Sequence, residues 1–449
     1  EFTVRELWDA CAAAAHAKNG ELNAFLEIFE ADDAAIAEAQ RRIDGGDASL
    51  LCGIPLATKD NILIDGHIAS AASKMLENYK ATYDSTVTAK LRAAGALFLG
   101  RTNMDEFALG GSTENSAFGV TKNPHDTTRV SGGTSGGSAA AVAAHMVIAA
   151  LGTDTGGSVR NPASYCGVIG LKPTYGGVSR SGIIAAASSF DQVGPIAKTA
   201  EDAEILFNTI RGLDPMDSTT IPDDLYKKVS KEVKTVGIPS HLFKGGLDAE
   251  MLEKFHATIK SLGYEVKEIE IPSAEPALAA YYIINFAEVS ANLARFDGIR
   301  YGHAARGETL LDDYLLSRTE GFGKETKRRI LLGTFVLSSG YIDAYYRKAN
   351  AARAQLRREF EKAFESVDII ATPTMPTPAF RMGEKSDPVA MYLEDIFTVL
   401  ANLTGMPAIS VPMGTVTRER KELPVGIHFS APHQAEDRLF TIAEKMGNQ

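Results

Sequence analysis

Two stretches near the start of the chain, "TVRELWDACAAAAHA" and "DDAAIAEAQRRI", repeat small and apolar residues every three to four positions. That spacing lines one face of a helix. Asp32 and Asp33 suit a helix start, and "DGGD" suits a stop. Residues 1–45 therefore read as an N-terminal helical segment packed on the core, with residues 46–449 forming the main domain. The pattern then shortens. "GIPLATKDNIL" is a brief apolar run among turn formers, and "STVTAKLRAAGALFLGRTN" reads as helix, glycine stop, strand and loop. "GGSAAAVAAHM" reads as a helix and "VIAALGTDT" as a short buried strand. After Gly167, glycine turns lead to the helix "TAEDAEILFNTIRG". Strands "KTVGIP" and "YEVKEIEI" bracket the helix "AEMLEKFHATIKSLG". Long helical stretches are expected within 274–296 and about 324–365. The strand "VDIIATPT", a helix near "VAMYLEDIFTVLANLTG" and the strand "PAISVPM" follow, and "ERKELPVGIHFS" closes a hairpin. Strands alternate with helices throughout, without tandem repeats or a low-complexity linker. The expected class is α/β: one large α/β/α domain, a twisted mixed sheet with helices on both faces.

Composition narrows the chemistry. The 449 residues carry a formal net charge of -11, which argues against this chain gripping a phosphate backbone by itself. Cys11, Cys52 and Cys166 are widely spaced, with no C-x-x-C pair. They read as reduced and unlinked thiols of a cytoplasmic protein, and no zinc framework is expected. No signal peptide opens the chain, and no apolar run reaches the roughly 18 residues of a membrane span.

The stretch from Arg129 to Gly167 holds two glycine-flanked hydroxyl clusters, GGTSGGS and TDTGGS. Gly133–Gly137 fits the G-x-S-x-G elbow pattern, but polar turn formers precede it where a buried strand is required. The usual phosphate-loop fingerprints are missing as well. TDTGGS follows a strand, and its two glycines free the backbone to turn sharply before Ser158. Successive N–H groups can then converge into an oxyanion-binding nest beside the Ser158 hydroxyl; a Gly-Ser turn without chemistry is the alternative. Such a nucleophile needs a base. His16, His67, His125, His145, His241, His256, His303, His428 and His433 lack a triad-like context and read as surface or core histidines. Lys59, set beside "IPLA", is unusual because lysines prefer exposed faces. Buried, it loses basicity and can accept a proton; the alternative is an ion pair with Asp60 or another carboxylate. Cys166 reads as a buried structural thiol, and Arg160 as a structural partner of a nearby carboxylate.

Together, "GIPLATKDN", "GGTSGGSAAAVAA" and "GTDTGGSVRNPASYCGVIGLKPTYG" resemble the amidase signature family. Further on, "NLARFDGIRYG", "TEGFGKETKRRILLGTFVLSSGYIDAYYRKAN" and "VDIIATPTMPTPAF" are similar to the glutaminase subunits of three-subunit tRNA-dependent amidotransferases. The resemblance implies a Ser–cis-Ser–Lys triad: Ser158 as nucleophile, Lys59 as ultimate base, and Thr134 as the bridging hydroxyl, 24 positions before the nucleophile. The family carries serine there, so Thr134 is a departure; its added methyl restricts χ1, and the neighbouring Ser135 is the other hydroxyl to hand. The resemblance also implies an oxyanion hole from the N–H groups of Thr155, Gly156, Gly157 and Ser158. Arg329 would bind the glutamine carboxylate, Asp395 its ammonium, and Tyr281 would add a hydroxyl. No metal or organic cofactor is implied in this chain; ATP and magnesium would be used by a partner subunit. The implied partners are amidotransferase B and C subunits in a hetero-oligomer, with tRNA held mainly by the partner and no membrane involved. The implied activity is hydrolysis of glutamine to ammonia. Alternatives are a free-standing hydrolase of small, aryl or carbamate-like amides, and a degenerate scaffold subunit.

Overall fold

The structure, a computed structural model, describes residues 2–226, 229–243 and 246–447. Its strands are β1 (Phe25–Ile28), β2 (Pro55–Lys59), β3 (Leu97–Thr102), β4 (Lys122–Asn123), β5 (Asp126–Val130), β6 (Ala149–Asp154), β7 (Ile169–Lys172), β8 (Gln192–Ala197), β9 (Thr235–Ile238), β10 (Glu265–Glu268), β11 (Ile369–Pro373), β12 (Ala408–Arg418) and β13 (Lys421–Ser430). Eleven of them form one sheet in the order β1-β3-β2-β6-β8-β7-β12-β13-β11-β9-β10, and β4 and β5 pair separately. The sheet is mixed. β2 runs parallel to both β3 and β6, whereas β6–β8 and β12–β13 are antiparallel.

Strand alternation sends successive side chains to opposite faces. Leu56, Ala149 and Leu151 enter one core with the helices Thr86–Ala93, Ala200–Ile210, Ala249–Leu262 and Glu436–Gly447. Ala57 and Ala150 face the other way, into a core shared with the helices Val4–Leu22, Asp33–Asp44 and Gly136–Ala143. At the far end, Ile369 and Ala371 join the first core. Ile370 points instead into a third, built on the helices Ala277–Asn292 and Lys348–Ala363. Helices thus cover both faces. Local signals fix their starts: Thr3 and Glu6 form a capping box, and the side chains of Asp32, Ser85, Thr199 and Asp248 each accept from a first-turn amide.

Several expectations are corrected. Residues 1–45 are not wholly helical: β1 lies between the two helices and pairs with β3 at the sheet edge. The stretch 324–365 is broken into Lys324–Leu337, a π-helical turn Asp343–Arg347, and Lys348–Ala363. Ser338, Ser339 and Gly340 interrupt its helical run. The segment around 388–404 is likewise split into Pro388–Tyr392, a 3₁₀ turn and Val399–Thr404. β7 and β8 lie where only glycine turns were expected.

Parallel pairing of β2 with β6 brings two carboxyl ends side by side. One ends at Lys59 and the other feeds the turn Thr155–Ser158. In open α/β sheets, ligand sites form at such carboxyl ends.

Candidate active site

Lys59 is fully buried at the end of β2. Its Nζ lies 2.6 Å from Thr134 Oγ1, 2.9 Å from Thr153 Oγ1 and 3.2 Å from the Thr153 carbonyl. Burial pushes its pKa down to about 7, against the pull of Asp105, Asp154 and Asp191. A neutral amine fits these three contacts: two N–H groups point to Thr153, and the lone pair is left for the Thr134 hydroxyl. Thr134 follows a cis peptide bond from Gly133 and precedes the helix Gly136–Ala143. Ser135 faces elsewhere: its hydroxyl donates to the Thr153 carbonyl at 3.2 Å and accepts from the Thr153 amide at 3.3 Å. Its amide donates to the Ser158 carbonyl at 3.0 Å, which ties the Thr134 loop to the Ser158 turn. Thr134 and Lys59 are sealed from solvent, whereas Ser158 keeps 7% of its surface exposed.

The turn itself is held by Asp154 and Arg160, both fully buried. Burial opposes the Asp154 charge, yet the Arg160 guanidinium and Asn402 hold its carboxyl well below the usual carboxylate range. Arg160 donates from Nε to Asp154 Oδ2 and from Nη2 to Oδ1, both at 2.9 Å, a bidentate fork. Its remaining donors reach Asn402, the Thr398 carbonyl and His428 Nε2. Burial and Arg160 keep His428 neutral, so that histidine belongs to the scaffold. Asp154 also accepts from the Gly157 amide at 2.9 Å. The Gly157 amide, one of the expected oxyanion donors, is therefore engaged with Asp154. Gly157 serves through its conformation instead. Its φ of +134° disfavours other residues, and a Cβ there would strike Thr398.

The three residues expected to read the substrate converge from three elements. Tyr281, on the helix Ala277–Asn292, presses its hydroxyl against Gly156 so closely that a Cβ would not fit. Arg329, on Lys324–Leu337, is buried; it donates to Glu325 Oε1 at 2.8 Å and Asn285 Oδ1 at 3.2 Å. Tyr282, Phe286 and Tyr392 surround its guanidinium. Burial works against its charge, but Glu325 holds it firmly protonated. Asp395, half-buried in the 3₁₀ turn before Thr398, accepts from the Tyr282 hydroxyl at 2.6 Å. Burial raises its pKa to about 7. Thr398 closes the circuit by donating to the Gly156 carbonyl at 2.6 Å.

Two carboxylates escaped sequence reasoning. Asp105 accepts from the amides of Thr113 and Asn115 and packs against Gly133, and burial raises its pKa to about 6. Asp191 accepts from the Thr155 hydroxyl at 2.7 Å, and burial likewise raises it to about 6. Only the closed fold brings them to the turn. Cys166 is buried with its thiol pushed well up by burial, away from nucleophilic use. Among the described residues no group of three or more His, Cys, Asp or Glu could hold a metal ion. No described helix is long and apolar enough to cross a membrane.

A buried amine on a hydroxyl and a glycine turn carrying a serine thus meet at the carboxyl ends of a mixed sheet under helices. The Amidase family profile matches residues 6–440, and the chain belongs to that family; it is an amidase. The particular relatives are narrower. The chain is 54% identical over 419 residues to the A subunit of glutamyl-tRNA(Gln) amidotransferase from Thermodesulfovibrio yellowstonii, covering 91% of this chain and 86% of that one. The crystal structure of the same-named protein from Thermotoga maritima superposes with a TM-score of 0.80 at 39% identity, covering 99% and 93%. A 6-aminohexanoate cyclic dimer hydrolase superposes at 0.82 with 25% identity, covering 100% and 94%.

Proposed function

We propose that this chain is the glutaminase subunit of a glutamyl-tRNA(Gln) amidotransferase. It hydrolyses glutamine through an acyl-enzyme and supplies ammonia to a partner that amidates Glu-tRNA(Gln). The observation that carries the reading is that a buried guanidinium, Arg329, and a carboxyl, Asp395, both lie within electrostatic reach of Tyr281, whose hydroxyl meets the Gly156 turn. Glutamine presents a carboxylate and an ammonium to complement them. A hydrolase of neutral amides gains nothing from a buried guanidinium beside a half-buried carboxyl, groups that are costly to desolvate. The names of the relatives support the same reading.

The chemistry follows from the relay. Neutral Lys59 takes the Thr134 hydroxyl proton as Thr134 takes that of Ser158. Ser158 Oγ attacks the side-chain amide carbon of glutamine. The N–H groups of Thr155, Gly156 and Ser158 stabilise the oxyanion. Lys59 returns its proton through Thr134 to the departing ammonia, and water then hydrolyses the ester by the same path. Threonine in place of the family's serine keeps the relaying oxygen. The reading takes residues 1–45 as a segment packed on a cytoplasmic catalytic domain of residues 46–449. B and C subunits are its partners, tRNA is held mainly by them, and ATP and magnesium are used there.

Ammonia release from glutamine, measured against a neutral aryl amide with and without B and C subunits, tests the proposal. Glutamine preference with stimulation by the subunits is expected. Faster, partner-independent turnover of the aryl amide would make the chain a free-standing amidase. No ammonia release, and no labelling of Ser158 by an acylating probe, would make it a scaffold.

A further inference from the structure

The helix Lys324–Leu337 has two faces of opposite character. Its inner face, with Glu325, Thr326, Arg329, Gly333 and Val336, is buried. Gly333 approaches the Phe286 carbonyl so closely that no Cβ would fit, which fixes the helix against its neighbour. The outer face is a single stripe at i, i+4, i+7 and i+11: Lys324, Arg328, Leu331 and Phe335. Leu331 is 70% exposed and Phe335 47%. Leu332 extends the apolar strip, and Tyr341 and Tyr345 continue it beyond the helix, with ring centroids 4.4 Å and 6.0 Å from Phe335. An amphipathic helix that buries one face does not ordinarily leave leucine and phenylalanine in water on the other.

Charge identifies the occupant. Residues 324–348 carry six cationic and two anionic side chains in a chain of net charge -11. Glu325 is turned inward onto Arg328 and Arg329, and Asp343 pairs with Arg347 at 3.0 Å. With Arg328 and Arg347 in these pairs, Lys324, Lys327 and Lys348 leave the apolar strip a net cationic rim. Aromatic and leucine side chains at the centre with arginine and lysine around them form the anatomy of a protein interface. Self-association through this face would set like-charged rims against each other, so a second copy fits poorly. RNA contact would use the cations but leave Leu331 and Leu332 without a role.

We infer that this stripe docks an amidotransferase partner subunit through an apolar patch with an acidic border. The inference rests on the glutaminase reading and adds to it the place of contact. The face is the outer side of the helix that carries Arg329, so the partner binds next to the point where glutamine is read.

The test uses the full chain with purified B and C subunits in sedimentation-velocity and stopped-flow binding experiments. Leu331→Glu and Phe335→Glu should weaken the complex about 30-fold or more each, the scale of interface anchor residues. Lys324→Glu with Lys348→Glu, exposed positions that leave the core intact, should slow association about tenfold at low salt and little at high salt. Glutamine turnover by each variant without partners should stay at the wild-type level, which shows that the fold is retained. Undiminished binding by all variants overturns the docking site and leaves the glutaminase reading standing. A wild-type chain that binds neither subunit overturns both. Two other results overturn the assignment in favour of a different occupant: a wild-type homodimer abolished by Phe335→Glu, or tRNA affinity lost in the lysine variant while subunit binding persists.

Discussion

Lys59→Met keeps the length of the side chain and removes the amine, so it separates the cost of burying that amine from its use. The ordinary lysine pKa is 10.5, and burial lowers it here to about 7. Between those values the unfolded chain binds a proton that the folded chain does not, so stability rises with pH across the window. Each pH unit inside it is worth about 1.4 kcal/mol. From pH 7.5 to 9.5 the wild type should therefore gain roughly 2–3 kcal/mol relative to Lys59→Met. Denaturant unfolding at several pH values measures this. Taking the difference between the two proteins removes the contribution of Lys172, another buried lysine lowered to about 7. In the same preparations, kcat/KM of the wild type should fall about tenfold per pH unit below about pH 7, as the amine protonates. The variant should lose about 10²–10⁴-fold of the wild-type rate. Parallel stability slopes would mean that Lys59 stays charged when folded, and the neutral-amine relay would be wrong whatever the loss of rate.

Ser158→Ala should abolish ammonia release and acylation; more than a few per cent of the rate, followed by ammonia assay, would remove Ser158 as nucleophile. Thr134→Ser should match or exceed the wild type, while Thr134→Val should fall by about 10² or more, since only the hydroxyl relays protons; equal rates for the two would sink the bridge. Arg329→Lys should raise KM for glutamine with a smaller effect on kcat, because an ammonium cannot reproduce the planar fork. Asp154→Asn strands Arg160 in the core and should destabilise the protein by about 3–5 kcal/mol, read by chemical denaturation.

Much of the site was legible because its parts lie in local patterns. The strand leading into TDTGGS, the lysine after an apolar strand and the Gly-Ser loop before a helix are all visible in short windows, and the structure finds them adjacent. Which of Thr134 and Ser135 meets the amine was not legible from chemistry, since both are hydroxyls; the loop geometry turns one to Lys59 and the other to Thr153. The commitment of the Gly157 amide to Asp154 was equally hidden, because a side chain reaching forward three residues leaves no mark in composition. Asp105, Asp191 and Thr398 arrive from distant segments and become neighbours only when the sheet closes. In the fold, β7 and β8 were missed because Gly170, Pro173, Gly194 and Pro195 give the sequence of turns to strands that lie at the middle of the sheet. The break after Leu337 was missed because the residues on either side keep helical composition.

The parallel pairing of Thr58 with Leu151 has one more consequence. Neighbouring positions on a strand point to opposite sides, so sliding β2 by a single residue would swap the amine of Lys59 for the hydroxyl of Thr58. The alignment of two backbone ladders thus works as a switch with no intermediate setting, and under the proposed relay a slip at the seam between these strands should silence the enzyme outright rather than slow it by degrees.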